Sequence, residues 1–327
     1  MRVLVTGGRG LLGEAVVAEL SRRGHDVTSF QRSSAGERPG VHEVLGDVAD
    51  SDAVSAAAAG QQGIVHLAAR VSVTGPWSEF ARVNIDGTRN VLDAAEASGV
   101  GSVVHVSSPS VAHSGHPLMG VDAEPADPAR ARGNYARSKA AAEQLVLSRA
   151  SGAMAISIVR PHLVWGPGDT QLVGRITERA RRGRLVLIDR GRALIDTLYI
   201  DNAAVAIAQA LDRSHLPAVR GRPLVLTNGE PRTVAEMVSR IAQAAGVNAP
   251  DRTVPYPLAR IAGSTAEWTW RRLGRTDDPP LTRFVAEQLA TAHWFDQRQS
   301  RSALDWEPHV SVDEGFERLR RHFSCAG

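Results

Sequence analysis

Tyr135 and Lys139 stand four residues apart in the segment NYARSK (134–139), so on an α-helix they share one face. Of the 38 lysines and arginines in the chain, Lys139 is the one lysine, and Tyr135 is one of three tyrosines. An unperturbed phenol titrates near a pKa of about 10. A fixed ammonium beside it favours the phenolate and moves the phenol toward the range useful for general acid/base work. Lysine suits that task as a compact point charge with three donors, able to hydrogen-bond a ribose as well; the planar fork of arginine is a poor substitute. The bland alternative is an amphipathic helix carrying one incidental lysine. A third group must hold the oxygen that receives the proton. VVHVSSPSVAH (103–113) reads as a strand that delivers Ser107 and Ser108 to its carboxyl end, where side chains of parallel sheets meet ligands. The residues alone do not choose among Ser107, Ser108 and Ser110, because serines after a strand also form turns.

A second constellation lies at the start of the chain. VLVTGGRGLLG (3–13) places Gly7, Gly10 and Gly13 after an apolar run and at the opening of a helix. Glycines there permit a tight turn and close backbone approach to a pyrophosphate, and the helix N-terminus supplies free N–H groups and partial positive charge. The acid expected about 20 residues on, which would bind a ribose 2′-hydroxyl, is missing. The sequence there is Ser29-Phe30-Gln31-Arg32-Ser33. A carboxylate would repel a 2′-phosphate and a guanidinium would bind it in bidentate fashion. Arg32, with Ser33 beside it and Arg9 from the glycine loop, therefore points to NADP(H). Either arginine alone also reads as a solvated surface residue. Gly46-Asp47-Val48 can present a carboxylate to an adenine amino group; Asp47 reads equally well as a helix N-cap.

The elements that must position these groups are legible as an alternation. Residues 1–6, 27–30, 64–68, 103–106, 156–159 and 224–227 are short apolar runs, separated by helix-length polar and alanine-rich stretches such as 10–23. This pattern predicts a doubly wound parallel sheet with helices on both faces, an α/β Rossmann architecture. The second half is less regular. Residues 1–165 with 195–228 are expected to form the NADP-binding domain, and 166–194 with 229–327 a smaller substrate lobe over the carboxyl edge of the sheet. Within that lobe, 256–272 carries Leu258, Ile261, Ala262, Trp268 and Trp270 with Arg260, Arg271 and Arg272. Its spacing suits an amphipathic helix, either packed on the lobe's core or forming a greasy entrance for acyl chains with arginines for an anion.

Composition narrows the function classes. The chain has 327 residues, a formal charge of +3 and one cysteine, Cys325. Its pI of about 9.6 reflects arginines that do not titrate, without a concentrated basic run, which argues against nucleic acid as the main partner. A single cysteine excludes an internal disulfide framework and fits a cytoplasmic location. MRVLVTGG leads straight into a strand without an apolar signal segment, and no stretch of about 18 apolar residues predicts a membrane span. His105, His113, His116 and His162 lie nearest the presumed site without metal-ligand spacing, so no metal is expected; His113 reads as a loop histidine, with a place in the lining of the substrate pocket as the alternative.

Taken as an ordered set, TGGRGLLG (6–13), GDVAD (46–50), HLAA (66–69), NIDGT (84–88), VSSPSV (106–111), YARSK (135–139), RPHLVWGPGD (160–169) and YIDNAA (199–204) resemble the extended short-chain dehydrogenase/reductase superfamily. The chain is most similar to its 3β-hydroxysteroid dehydrogenase-like branch. SFQR (29–32), SPSVAH (108–113), NGEP (228–231) and PLTRFVAEQL (280–289) extend the likeness to reductases of bacterial olefin and β-lactone pathways, which act on 2-alkyl-3-ketoalkanoic acids. The resemblance implies Ser108, Tyr135 and Lys139 as the catalytic set. It further implies Leu11 and Leu12 amides at the phosphates, Asp47 and Val48 at the adenine, and Leu67, Ala68 and Ala69 along the cofactor's inner face. Asn84 and Ser107 would lie near the ribose and nicotinamide, and Pro161, His162 and Leu163 against the carboxamide. The substrate would be a long-chain acyl molecule, with peripheral membrane contact or a complex with pathway enzymes as further options. The helix Gly87–Ala97 and the helix holding Tyr135, with the small residues Ala140–Ala142 on its flank, would pair in a homodimer. Val111-Ala112-His113 departs from the Val-Tyr-Gly ending of sugar-nucleotide epimerases, which argues against a nucleotide sugar. A steroid or isoprenoid dehydrogenase and a non-catalytic NADP-binding protein are the competing readings.

Overall fold

The computed structural model describes all residues except 73, 114, 274, 276–278, 326 and 327, and omits the side chain of Arg271. Seven strands form the main sheet: β1 (Arg2–Thr6), β2 (Asp26–Gln31), β3 (Val41–Leu45), β4 (Gly63–His66), β5 (Ser102–Val106), β6 (Ala155–Pro161) and β7 (Pro223–Leu226). Their order is β3-β2-β1-β4-β5-β6-β7, and every neighbouring pair is parallel. Parallel neighbours need crossover connections, which the intervening helices supply.

Both faces of the sheet are covered, so its strands are apolar runs rather than simple alternations. Val3, Val5, Val65 and Val104 face the helices Leu11–Arg22 and Ile200–Asp212, meeting Val16, Leu20, Ile207 and Leu211. Leu4, Ile64, Val103 and Ile156 point to the opposite face, against Val54, Val91 and Leu92 of Ser51–Ala58 and Gly87–Ala97. The order of strand addition reverses between β1 and β4, and there the carboxyl ends open a crevice for a ligand.

A second sheet joins Arg232–Thr233, Leu194–Ile195, His293–Phe295 and Leu118–Val121. It caps the crevice together with the helices Leu172–Arg181, Val234–Ala244, Tyr256–Arg272 and Arg283–Ala290. The chain is more interleaved than the expected lobe boundaries suggest. Leu118–Val121 comes from the first half yet pairs with His293–Phe295. Ala303, Leu304 and Trp306 come from the last quarter yet pack into the core on β1 and β5. Trp165 seats the cap on the sheet. It is fully buried, donates from Nε1 to Thr197 Oγ1 at 3.0 Å and meets Tyr199 edge-on at 5.4 Å, a ring pair worth about 1 kcal/mol beyond its burial.

Asp196 fastens the two chain crossings between sheet and cap. It lies fully buried, accepts from Thr227 Oγ1 at 2.7 Å, and its own N–H donates to the His293 carbonyl at 2.9 Å. Burial pushes its carboxyl up to about 6, with the Thr227 hydroxyl and the amides of residues 230, 197 and 229 holding it back.

Candidate active site

The glycine loop is shaped for close approach. Gly7 has φ 78°, a region L-residues avoid, and a Cβ there would stand 2.8 Å from the Ala68 amide nitrogen. A Cβ on Gly13 would fall 2.2 Å from the Gly7 carbonyl oxygen. Helix Leu11–Arg22 starts after Gly10 without a side-chain cap, so its first N–H groups, those of Leu11 and Leu12 among them, are open to an anion. The loop and helix end thus fit a dinucleotide pyrophosphate. Leu67, Ala68 and Ala69 leave the end of β4 half-buried beside this loop, with Ala68 N–H held by Thr6 Oγ1 at 3.2 Å.

At the far end of the crevice, Arg9 Nη1 donates to Ser33 Oγ at 2.8 Å, so the structure brings together two residues 24 positions apart. Arg32 is exposed beside them. Sequence reading missed a third guanidinium. Arg38 donates from Nη1 to the Gly8 carbonyl at 3.1 Å, while its Nε and Nη2 are buried without a hydrogen-bond partner. A carboxylate on β3 lies nearby and is engaged within the protein: Glu43 accepts from Gln31 Nε2 at 2.6 Å and from the Ala35 amide at 2.8 Å, and lies 3.9 Å from Arg38 Nη2. Asp47 is not the helix cap. Asp50 caps Ser51–Ala58, and Asp47 accepts from the Ala49 amide and Arg82 Nη1, both at 3.0 Å. Burial alone would raise its carboxyl; the Ala49 amide and Arg82 outweigh it and hold it below the ordinary value. Val48 is buried beside it, its carbonyl accepting from Asn90 Nδ2 at 3.0 Å.

Tyr135 and Lys139 fall on the helix Gly133–Arg149, which faces the end of β5. Lys139 is buried and its Nζ donates to the Val106 carbonyl at 2.7 Å. Burial pulls the ammonium down to about 8, with Glu143 one turn further on opposing the shift. Tyr135 differs from expectation. Burial raises its phenol above the ordinary value and the Ser108 hydroxyl offsets only part of that. At neutral pH the phenol is therefore a proton donor, held by Ser108. Of the three candidate serines, Ser107 is committed elsewhere. Its Oγ donates to Glu143 Oε2 at 2.5 Å, and Glu143 is clamped by Arg160 through Nε at 3.0 Å and Nη2 at 2.5 Å. This buried ion pair locks the helix to β5 and β6. Its signal in the sequence was Glu143 at i+4 from Lys139, on the same face. Asn84 sits fully buried in a π-helical turn, Ala81–Asp86, a feature enriched at functional sites. It accepts from the Arg70 amide at 2.7 Å and donates to Ser138 Oγ at 2.8 Å.

Ser108, Ser110 and Tyr135 open onto a cavity of about 400 Å³, walled by Leu185, Leu187, Val234, Met237, Ile241 and Leu289 among others. Pro161 ends β6, and His162 and Leu163 after it line the cavity, Leu163 in the left-handed region at φ 45°. His162 Nε2 meets His293 Nδ1 at 3.0 Å, and His293 Nε2 meets the Gln288 carbonyl at 2.8 Å. The carbonyl only accepts, so neutral His293 carries its proton on Nε2 and receives one from His162 Nε2. His113 is not an exposed loop histidine: it is 2% exposed and forms part of the cavity wall. The helix Tyr256–Arg272 departs from the core-packing reading of its stripe. Leu258, Ile261 and Trp268 are exposed, and they and Trp270 lie outside the cavity wall. The reason is packing: the small residues Ala259 and Gly263 face inward, and a Cβ on Gly263 would stand 2.7 Å from the Arg283 amide nitrogen.

A doubly wound sheet, a glycine loop opening on a helix end, and a Tyr/Lys helix beside β5 define the class: a dinucleotide-binding oxidoreductase of the extended short-chain type. The chain belongs to the NAD dependent epimerase/dehydratase family, whose profile matches residues 3–219. It is 40% identical over 325 residues to the 2-alkyl-3-oxoalkanoate reductase of Stenotrophomonas maltophilia (strain K279a), covering 98% of each chain. It is 30% identical to the 3 beta-hydroxysteroid dehydrogenase/Delta 5-->4-isomerase of Mycobacterium tuberculosis (strain CDC 1551 / Oshkosh), over 96% of this chain and 88% of that one. Among solved structures, MoeE5 in complex with UDP-glucose and NAD superimposes with a TM-score of 0.75 at 23% identity, covering 100% of this chain and 99% of that one. No helix among the described residues is long and apolar enough to cross a membrane.

Proposed function

We propose that this chain reduces the 3-keto group of long-chain 2-alkyl-3-ketoalkanoic acids with NADPH, as a step in olefin or β-lactone formation. The observation that carries the proposal is the opening of Ser108 and Tyr135 onto a half-open, predominantly apolar cavity, in a chain 40% identical to a 2-alkyl-3-oxoalkanoate reductase. Residues 166–194 and 229–327 would supply most of the substrate lobe, joined by Leu118–Val121, while Ala303, Leu304 and Trp306 pack on the main sheet. The phosphates would rest on the loop of Gly7, Gly10 and Gly13 and the amides of Leu11 and Leu12. Arg9, Arg32 and Ser33, joined by Arg38, would take the 2′-phosphate. Asp47 and Val48 would border the adenine, Leu67, Ala68 and Ala69 the inner face, and Asn84 and Ser107 the ribose end. The backbone of Pro161, His162 and Leu163 would meet the carboxamide.

When bound, the reduced nicotinamide supplies the hydride. The chain's own residues handle the oxygen. Ser108 orients the keto oxygen with its hydroxyl, and Tyr135 donates the proton that converts it to the alcohol. The Lys139 ammonium stabilises negative charge developing on the phenolic oxygen. Glu143 and Arg160 hold the helix and strand that carry these groups. The apolar walls exclude water and take the alkyl chains, each buried methylene contributing about 0.8 kcal/mol.

A substrate panel tests this reading. The kcat/KM for 2-alkyl-3-ketoacids should climb steeply with chain length before levelling off, and sterols and nucleotide sugars should not react. A flat dependence on chain length, or turnover of a nucleotide sugar, would refute the acyl assignment.

A further inference from the structure

A 3-ketoacid brings a carboxylate whose carbon is two bonds from the ketone carbon. If the ketone oxygen lies between Ser108 and Tyr135, as the proposed function requires, that anion must find donors on the same stretch of wall. Leaving a carboxylate unpaired in an apolar cavity is prohibitive.

The segment immediately after Ser108 provides the donors. Ser108 caps the short helix Pro109–Ala112, and Ser110 Oγ lies 2.9 Å from Ser108 Oγ. The turn ends at His113, whose amide donates to the Ser110 carbonyl at 3.1 Å. Ser108, Ser110 and His113 all line the cavity. The His113 ring is almost wholly buried, and its Nε2 has no hydrogen-bond partner. A buried polar nitrogen without a partner on the wall of a ligand cavity calls for an explanation.

We propose that Ser110 and His113 form a carboxylate subsite, which holds the acid group of the substrate while Ser108 and Tyr135 engage its ketone. No neighbour among the described residues fixes the tautomer of His113, so the anion can select the form with the proton on Nε2. Burial first of all, then His293, Arg132 and His116, pull the ring down to about 4 against the opposing effect of Glu287. At neutral pH the ring is therefore a neutral donor, not a buried cation. The nearby charges are already engaged: Arg132 pairs with Glu287 at 2.8 Å. The cationic residues of the cavity wall, Arg175 and Arg179, stand on another element, the helix Leu172–Arg181. Arg179 Nη2 donates to the Pro280 carbonyl at 2.6 Å.

The test uses the NADP-loaded protein. Binding of a 2-alkyl-3-hydroxyalkanoic acid and of its methyl ester is measured by calorimetry, alongside kcat/KM for the ketoacid and for a ketone of matched chain length. Losing a hydrogen bond to a charged group corresponds to about a ten- to hundredfold loss of affinity. His113→Leu should weaken acid binding by that factor while leaving ester binding within about threefold, and His113→Gln, which keeps a donor, should recover part of the loss. The retained ester binding also shows that the variant is folded. Equal losses for acid and ester, or no loss for either, would overturn the subsite. So would an acid preference that collapses in Arg175→Gln but survives in His113→Leu. If neither ketoacid nor ketone is reduced while the His113-dependent preference for the acid persists, the subsite stands and the proposed reaction fails.

Discussion

Lys139 is buried and bonded to the Val106 carbonyl at 2.7 Å, so its value to the site depends on charge held at one place. Tyr135→Phe should lower activity by about 10²- to 10⁴-fold, the range of a lost general acid, with cofactor binding retained in a fluorescence titration. Lys139→Arg keeps the charge but cannot fit a compact donor site, and should be severely impaired in the same assay. The pH dependence follows from the two shifts. Burial keeps the phenol protonated beyond its ordinary range, whereas it brings the ammonium down to about 8. The kcat/KM for reduction should therefore be level toward neutrality and decline above about pH 8, as Lys139 loses its proton. A profile still level at pH 9.5 would show that the ammonium is dispensable. Arg38 is a second residue-scale case. Its Nε and Nη2 make no hydrogen bond, with Nη2 3.9 Å from Glu43 Oε1, and so retain donors for a 2′-phosphate; Arg38→Ala and Arg32→Ala should each weaken NADPH binding about tenfold and leave NADH nearly unchanged. Equal losses for both nucleotides would remove the arginines from that role.

At the scale of elements, the connection between sheet and cap is held by a group that resists ionisation. The folded carboxyl of Asp196 titrates at about 6, above its model-compound value of 3.8. The folded state therefore binds its proton more tightly than the unfolded chain. Its stabilising contribution is complete below pH 3.8, is lost as pH rises through about 6, and is constant above that. The difference amounts to about 3 kcal/mol. Denaturant titrations of the wild type and Asp196→Asn, which cannot titrate, should show the wild type losing ground by roughly that amount between pH 4 and 7. A pH-independent difference would mean that the Asp196 carboxyl binds its proton equally well in the folded and unfolded chain. The glycine loop shows the complementary case, in which local sequence was enough. Gly7 and Gly13 were legible because only a residue without a Cβ meets those backbone contacts. Asp196 was not, because its partners lie 31 and 97 residues away in Thr227 and His293.

For the whole molecule, the pairing of copies remains a proposal whose chemistry the structure makes specific. The helices Gly87–Ala97 and Gly133–Arg149 lie side by side, but Ala140 and Ala142 are buried within the protomer. The outer surface instead carries Arg149 bridged to Asp93 at 2.9 Å and Glu96 at 2.8 Å, with Arg89 beside them. A dimer through this face would rest on polar contacts, which salt screens within about 3 Å at 1 M. Light scattering at micromolar concentration should report a dimer in low salt that loosens in 1 M salt; a monomer at every ionic strength would exclude this face.

The sequence by itself determined the parallel α/β sheet, the glycine loop and the Tyr135/Lys139 helix, because each depends on a short-range period. Strand runs, the i, i+4 spacing and the Cβ-free turn are all contained within about twenty residues. The family resemblance singled out Ser108, and tertiary structure supplied the physical reason that Ser107 is unavailable, since it is bound to Glu143, 36 residues on. Tertiary structure alone placed His113 in the cavity wall and Arg38 under the glycine loop. It also turned the apolar stripe of Tyr256–Arg272 outward, because Ala259 and Gly263 allow a closer approach than Leu258 and Ile261 would. Such outcomes depend on which distant surfaces meet, and no local pattern carries that information.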